Sequence, residues 1–150
     1  MLDKYLKSQL SPRVDKNAAI LDPCCRTNNF RNQLVKLGYH VTATDLKFDP
    51  IYDASRHTYW LKRYPDWTIS EPPNNDLTVK IIEWSISRSR DGAIFYLPVS
   101  WLSPNTLDKE KLLTVNYHIV TMLGNTDTCF IYFPKGSLYP KPHINYLHQN

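Results

Sequence analysis

The sequence predicts an α/β fold: a doubly wound, mostly parallel sheet carrying one antiparallel strand near its C-terminal end. Three observations lead there. Short apolar runs alternate with stretches of helical spacing. The first runs each close on an acidic residue or a proline, the exit of a buried parallel strand into a loop. Two late apolar runs are separated only by a Gly-Asn-containing break, which makes them a hairpin.

Taken in order, Ala18–Leu21 is a short buried strand that ends at Asp22. Asn29–Leu37 places Phe30, Leu34 and Leu37 on one helical stripe, and Gly38 is a natural stop. Tyr39–Thr44 is a β-branched-rich strand closing at Asp45. Trp67–Ile69 is a strand just before Pro72 and Pro73. Leu77–Arg90 is ambiguous: Val79, Ile82 and Ile86 fit a helix, whereas the alternation from Ile82 to Ile86 fits a strand. Length and position between two strands favour the helix. Gly92–Leu97 is continuously apolar, as in a central strand buried on both faces. Tyr117–Met122 and Thr128–Pro134 form the hairpin, and the second of them is the reversed strand.

Composition sets the boundaries. A chain of 150 residues with 42% apolar and 13% aromatic content is read as one globular domain, residues 1–150. No apolar run reaches the ~18–20 residues of a membrane span, and the N-terminal residues lack a continuous signal-peptide core, so a cytoplasmic protein is expected. Three cysteines, with Cys24 and Cys25 adjacent, do not build a disulfide framework. The five histidines lack metal-ligand spacing, and no metal is expected. A net charge of +4 is compatible with nucleic acid without requiring it.

In a doubly wound sheet the ligand lies outside the carboxyl ends of the strands. The loop after the first strand and the acid at the end of the second are therefore the candidate site. Asp45 follows Asp22 by roughly 20 positions, the spacing of an acid that accepts from ribose hydroxyls.

Two segments carry a family resemblance: Ile20-Leu21-Asp22-Pro23-Cys24-Cys25-Arg26-Thr27-Asn28-Asn29-Phe30 and Trp67-Thr68-Ile69-Ser70-Glu71-Pro72-Pro73-Asn74. They resemble the signature loops of the S-adenosylmethionine-dependent DNA adenine-N6 methyltransferases. In that family the first loop reads Asp-Pro-Cys-Cys-Gly-Thr-Gly-Asn-Phe, and the second reads Asn/Asp-Pro-Pro-aromatic. Leu97–Pro104, with Pro98, Ser100 and Trp101, and Thr128–Gly136 also resemble it, so the likeness spans about residues 18 to 136. It implies the class I methyltransferase sheet. It further implies S-adenosylmethionine held by Asp22 and Asp45, with Cys24, Cys25, Arg26, Thr27 and Asn28 along the loop. The target amine would be held at Glu71 and the Pro72 carbonyl, with Pro73 and Asn74 completing the catalytic loop.

The chain departs from the pattern where chemistry is most sensitive. Arg26 and Asn28 replace the two glycines, which predicts weak or absent cofactor binding. Asn28 can still hold left-handed backbone, whereas the Arg26 side chain either fills the pocket or reaches a carboxylate or phosphate. Glu71 keeps an acceptor with one extra methylene, and Asn74 lacks the stacking face unless Trp101 supplies it. The Phe-x-Gly-type cofactor motif of many relatives has no counterpart in residues 1–17.

Two function classes follow. One is an adenine-N6 methyltransferase of low activity acting on DNA rather than RNA. The other is an inactive module of that fold which binds nucleic acid or a partner subunit supplying target recognition. A small-molecule methyltransferase fits the double-proline loop less well. Candidate nucleic-acid contacts are Arg56, Tyr59, Lys62 and Arg63, with Trp101. The aromatics of that segment read more readily as packing residues with basic neighbours on the wet side. The tail from Lys135 to His148 is either a second contact strip or a flexible end.

Overall fold

The computed structural model of the chain describes residues 2–124, 127–135 and 143–147. Its elements in chain order are α1 (Leu2–Leu10), β1 (Ala19–Asp22), α2 (Asn29–Lys36), β2 (His40–Ala43), α3 (His57–Trp60) and β3 (Trp67–Ser70). There follow α4 (Thr78–Arg88), β4 (Gly92–Pro98), α5 (Leu107–Val115), β5 (Ile119–Leu123), β6 (Thr128–Pro134) and β7 (His143–Leu147), with 3₁₀ turns at Pro50–Tyr52 and Val99–Leu102.

The strands form one seven-stranded sheet in the order β2-β1-β3-β4-β6-β5-β7. β1 pairs in parallel with β2 and with β3, and β3 in parallel with β4. β6 runs antiparallel to both neighbours, in register Phe95↔Ile131 on one side and Val120↔Ile131 on the other. The α/β sheet with its single reversed strand at Thr128–Pro134 is the fold that the sequence pattern predicts.

Period-2 alternation sends successive strand residues to opposite faces. Ile20, Trp67, Ile69, Ile94 and Phe130 pack on one face beneath Leu6 and Leu10 of α1 and Phe30 and Leu34 of α2. Phe95, Leu97, Val120, Ile131 and Phe133 pack on the other beneath Ile82 of α4 and Leu112 of α5. A third cluster, Leu21, Cys24, Tyr59, Trp60 and Ile81, closes the carboxyl end of β1 against α3 and α4.

The ambiguous segment is a helix. Thr78, Ile81, Ile82 and Ser85 are its buried residues, at helical spacing, so the strand-like alternation from Ile82 to Ile86 loses. Three helices lie outside the sequence reading. Leu2, Leu6 and Leu10 recur every four positions, a helical signal that an alternation counted from Ala18 passes over. In α5 the pattern is inverted: Leu107 and Val115 are exposed while Lys109 is buried, so periodicity gives no signal. The single turn of α3 is too short to announce itself. The tail reading is corrected in part, because His143–Leu147 is a strand paired in parallel with β5. Residues 136–142 and His148 lie outside the described residues.

Gly92 opens β4 where the backbone passes close to its neighbours. A Cβ there would meet the Phe133 carbonyl oxygen at 2.6 Å and the Trp67 ring at 2.9 Å. The carbonyl belongs to β6 and cannot yield without opening the β4–β6 ladder, and the ring is buried and stacked on Tyr132. Gly92→Ala should therefore lower unfolding free energy by roughly 2 kcal/mol or more in urea denaturation. A neutral effect would mean that the two strands do not pack as described.

Candidate functional site

The site lies where β1 and β3 end. Asp22, the last residue of β1, is fully buried. Its Oδ1 accepts from the Ser70 hydroxyl (2.6 Å) and the Cys24 N–H (3.2 Å). Among the described residues Oδ2 has no partner. Burial pushes the carboxyl up to about 6 from its usual 3.8; the two hydrogen bonds oppose the rise, and the charges of Asp45 and Glu71 add to it.

The loop after Asp22 continues the β1–β2 ladder before it turns. Thr44 N–H donates to the Asp22 carbonyl (3.0 Å), and Cys25 N–H to the Thr44 carbonyl (2.9 Å). The chain then takes left-handed conformations at Arg26 (φ 50°) and Asn28 (φ 63°). These are the two positions at which the sequence departs from glycine, so the turn geometry is kept without glycine. Asn is among the residues that tolerate this region, whereas Arg is not, and the strain falls mainly on Arg26. The Asp45 carboxylate fixes the turn from outside, its Oδ2 accepting from Arg26 N–H (2.7 Å) and its Oδ1 from Lys47 N–H (2.9 Å).

The second loop leaves β3 at Ser70. Pro72 is buried, Glu71 and Pro73 are partly covered, and Asn74 is exposed. The buried Thr78 hydroxyl donates to the Pro73 carbonyl and accepts from Asn75 N–H (3.1 Å), which ties the double-proline turn to the start of α4. The Arg26 guanidinium crosses between the loops: Nη2 donates to the Pro72 carbonyl (3.4 Å), and Nη1 lies 3.8 Å from Glu71 Oε1.

A cleft of about 380 Å³ opens beside this bridge. Pro23, Cys24 and Arg26 come from the first loop, Asp45–Lys47 and Tyr52–Ala54 from the segment after β2, and Pro73, Asn75, Leu77 and Ile81 from the second loop and α4. Tyr52, Ala54, Leu77 and Ile81 give it apolar walls, while Asp45 and Asp53 give it acceptors. Asp22 is buried outside this lining, of which the sequence reading named Cys24, Arg26, Asp45 and Pro73 but missed Tyr52, Asp53, Leu77 and Ile81. Only the fold brings those four together, and no local spacing marks them. Ser70 was within reach, being the residue before Glu71. Cys25 is buried behind the turn, Thr27 is exposed, and neither lines the cleft.

Two of the candidate nucleic-acid contacts, Tyr59 and Trp101, are buried. Tyr59 is buried, its hydroxyl lies 2.6 Å from Thr44 Oγ1, and the Arg63 guanidinium covers its ring at 4.0 Å. The neighbouring Trp60 is buried too and donates from Nε1 to the Ala54 carbonyl (2.9 Å). This segment therefore buttresses the cleft. Arg56 pairs with Asp53 (3.2 Å), and Lys62 faces solvent. Trp101 is also buried, with the Lys109 ammonium 5.1 Å from its ring. Trp101 nonetheless borders a second cleft of about 380 Å³, which Asn74 and Asn75 also line. Among the described residues no His, Cys, Asp and Glu group could hold a metal, and no helix is long and apolar enough to cross a membrane.

The fold is shared with solved methyltransferases. A protein assigned to the class I S-adenosylmethionine-dependent methyltransferases of Listeria monocytogenes superposes with a TM-score of 0.58 over 99% of this chain, at 16% identity. A 16S rRNA N2 methyltransferase of T. thermophilus, solved with AdoMet and guanosine, gives 0.60 over 88% at 16% identity. A protein assigned as a methyltransferase of Porphyromonas gingivalis gives 0.52 over 99% at 12%. This chain spans 63%, 41% and 45% of those three chains. At such identities the likeness is one of fold. No protein-family model and no curated protein matches the sequence.

The raised carboxyl of Asp22 has a consequence for stability. Between about pH 4 and 6 the folded chain keeps a proton there that the unfolded chain has lost, so this group's contribution falls as pH rises through that window. Asp22→Asn, which carries no charge, should be more stable than wild type by roughly 2 kcal/mol at pH 8 and equal to it near pH 4. Urea denaturation at the two values checks this; a pH-independent difference would contradict the burial of a charged Asp22.

Proposed function

We propose that this chain binds S-adenosylmethionine in the cleft and presents a nucleic-acid amine to it at Glu71 and the Pro72 carbonyl. The observation that carries the reading is the place of the Arg26 guanidinium. Two acceptors, one carboxylate and one carbonyl, face the same planar guanidinium, the carbonyl accepting from Nη2 and the carboxylate lying 3.8 Å from Nη1, beside a cleft of small-molecule size.

The residues present fit the cofactor. Apolar walls at Tyr52, Ala54, Leu77 and Ile81 suit a heteroaromatic ring, and Asp45, oriented by two backbone N–H groups, retains lone pairs for ribose hydroxyls. Asp22 is not on the cleft's lining, so its unpartnered, buried Oδ2 reaches the ammonium of the amino-acid end only if the first loop moves aside. When bound, the group supplies an electrophilic methyl on a sulfonium. The chain's own task is then to orient the amine: Glu71 and the Pro72 carbonyl accept its hydrogens, which aims the nitrogen lone pair away from them. The double-proline turn, tied through Thr78, keeps this pair from drifting, and ~1 Å of drift can cost ~10²-fold in rate. Asn74 offers no stacking face, so turnover is slow. We take the substrate to be a base extruded from DNA in preference to RNA, on the resemblance of the two loops to the adenine-N6 enzymes. We also take residues 1–150 as one domain, with sequence selection supplied by a partner subunit.

Calorimetry with S-adenosylmethionine should show binding that Asp45→Ala weakens at least tenfold. In a tritiated-methyl assay on single-stranded DNA and RNA, Glu71→Ala should abolish transfer while changing cofactor affinity less than twofold. Glu71→Asn combined with Asn74→Tyr should raise the rate. Absence of cofactor binding at millimolar concentration would overturn the reading. Binding without transfer, in wild type and in the double variant alike, would leave a cofactor-binding module.

A further inference from the structure

We propose that Arg26 is a tethered occupant of the amine site, a group of the chain's own that an incoming amine must displace. The proposal rests on the reading of Glu71 and the Pro72 carbonyl as the amine acceptors. Arg26 stands on the first loop, yet its guanidinium reaches the second, donating to the Pro72 carbonyl and lying 3.8 Å from the Glu71 carboxylate. The guanidinium presents N–H groups from two nitrogens, Nη2 to the carbonyl and Nη1 toward the carboxylate, where an exocyclic amine on a base would present both hydrogens from one; the two groups compete for the same lone pairs. The tether is short and anchored, because the Arg26 N–H is bonded to Asp45 Oδ2 at 2.7 Å. One residue thus touches the ribose-type acid with its backbone and the amine acceptors with its side chain.

The strength of the contact decides what kind of device this is. Both side chains are partly exposed, 50% for Arg26 and 38% for Glu71, so solvent screens the pair. Such a contact handicaps a competitor by a few-fold rather than by orders of magnitude. The guanidinium is released by salt or by a better-fitting amine. Selectivity follows: a ligand lacking an exocyclic amine has nothing to gain at Glu71 and does not displace the guanidinium.

The test uses the full chain with saturating S-adenosylhomocysteine in the cleft and uncharged nucleosides as probes. Cytidine and guanosine carry an exocyclic amine, and uridine does not. Arg26→Asn removes the guanidinium but tolerates the left-handed backbone; Arg26→Gly also relieves the strain. Both variants should bind cytidine and guanosine about three- to fivefold more tightly than wild type, a gain that shrinks in 0.5 M salt, with uridine unaffected. In wild type the Arg26 Nε–H resonance should move on adding cytidine but not uridine, and Glu71→Ala should free it. Weaker or unchanged nucleoside binding in Arg26→Asn, including no measurable binding by either protein, would overturn the proposal. So would a gain seen only in Arg26→Gly, which would assign the effect to backbone strain, or an Nε–H signal indifferent to Glu71→Ala. Failure to bind S-adenosylhomocysteine at all is the separate failure of the functional reading, and the Glu71→Ala comparison still decides whether the tether exists.

Discussion

The carboxylate of Asp22 is the constraint on which the site depends. It ends β1, has no exposure to solvent, and is gripped by a hydroxyl from β3 and an N–H from its own loop. Its carbonyl receives the Thr44 N–H, so the ends of β1, β2 and β3 are registered through one residue. Burial works against this arrangement by penalising the charged form. A group held at such a cost, with one oxygen unpartnered, is the kind of local inconsistency that marks functional sites.

Glycine matters at the first loop for its backbone freedom, and the structure separates that role from the side chain's. Arg26 and Asn28 adopt the left-handed angles that glycine would take freely. The turn survives because it is held from three sides: the Cys25–Thr44 ladder bond, the Asp45 carboxylate, and the Asn28 N–H to the Cys25 carbonyl (2.7 Å). The loop therefore holds its turn with these two residues in place, and they set what projects from it. The Arg26 side chain lies along one side of the cleft and across the second loop, a placement that alters chemistry more than architecture.

Much of the fold was legible because parallel strands buried on both faces must read as short apolar runs with abrupt stops. Gly92–Leu97 and the hairpin strands follow that rule, and Asp22 is where the pattern puts it. The helices packed by few apolar residues were not legible. In α5 only one of the buried positions, Leu112, is apolar; the other is Lys109, whose ammonium is satisfied by the Ser103 carbonyl (3.2 Å) and Asn105 Oδ1 (3.0 Å), while Leu107 and Val115 face solvent, so hydropathy misleads. The loops announced the site's acids, while its apolar walls came from segments far apart in sequence. Tyr59 and Trp60 lie in a basic segment that could have been a binding strip. Their burial turns on contacts to Thr44 and Ala54 that no local pattern encodes. The destination of the Arg26 side chain was likewise open between pocket and carboxylate, and the geometry selects the carboxylate and its neighbouring carbonyl.

Adenosine-ring recognition in the cleft is the claim that the rest of the functional reading leans on, and a crystal structure grown with S-adenosylhomocysteine tests it most directly. Density should fill the cleft, with the ring between Tyr52, Leu77 and Ile81, the ribose hydroxyls on Asp45, and the amino-acid end toward Asp22. An empty cleft at millimolar ligand, or ligand bound elsewhere on the chain, would contradict it.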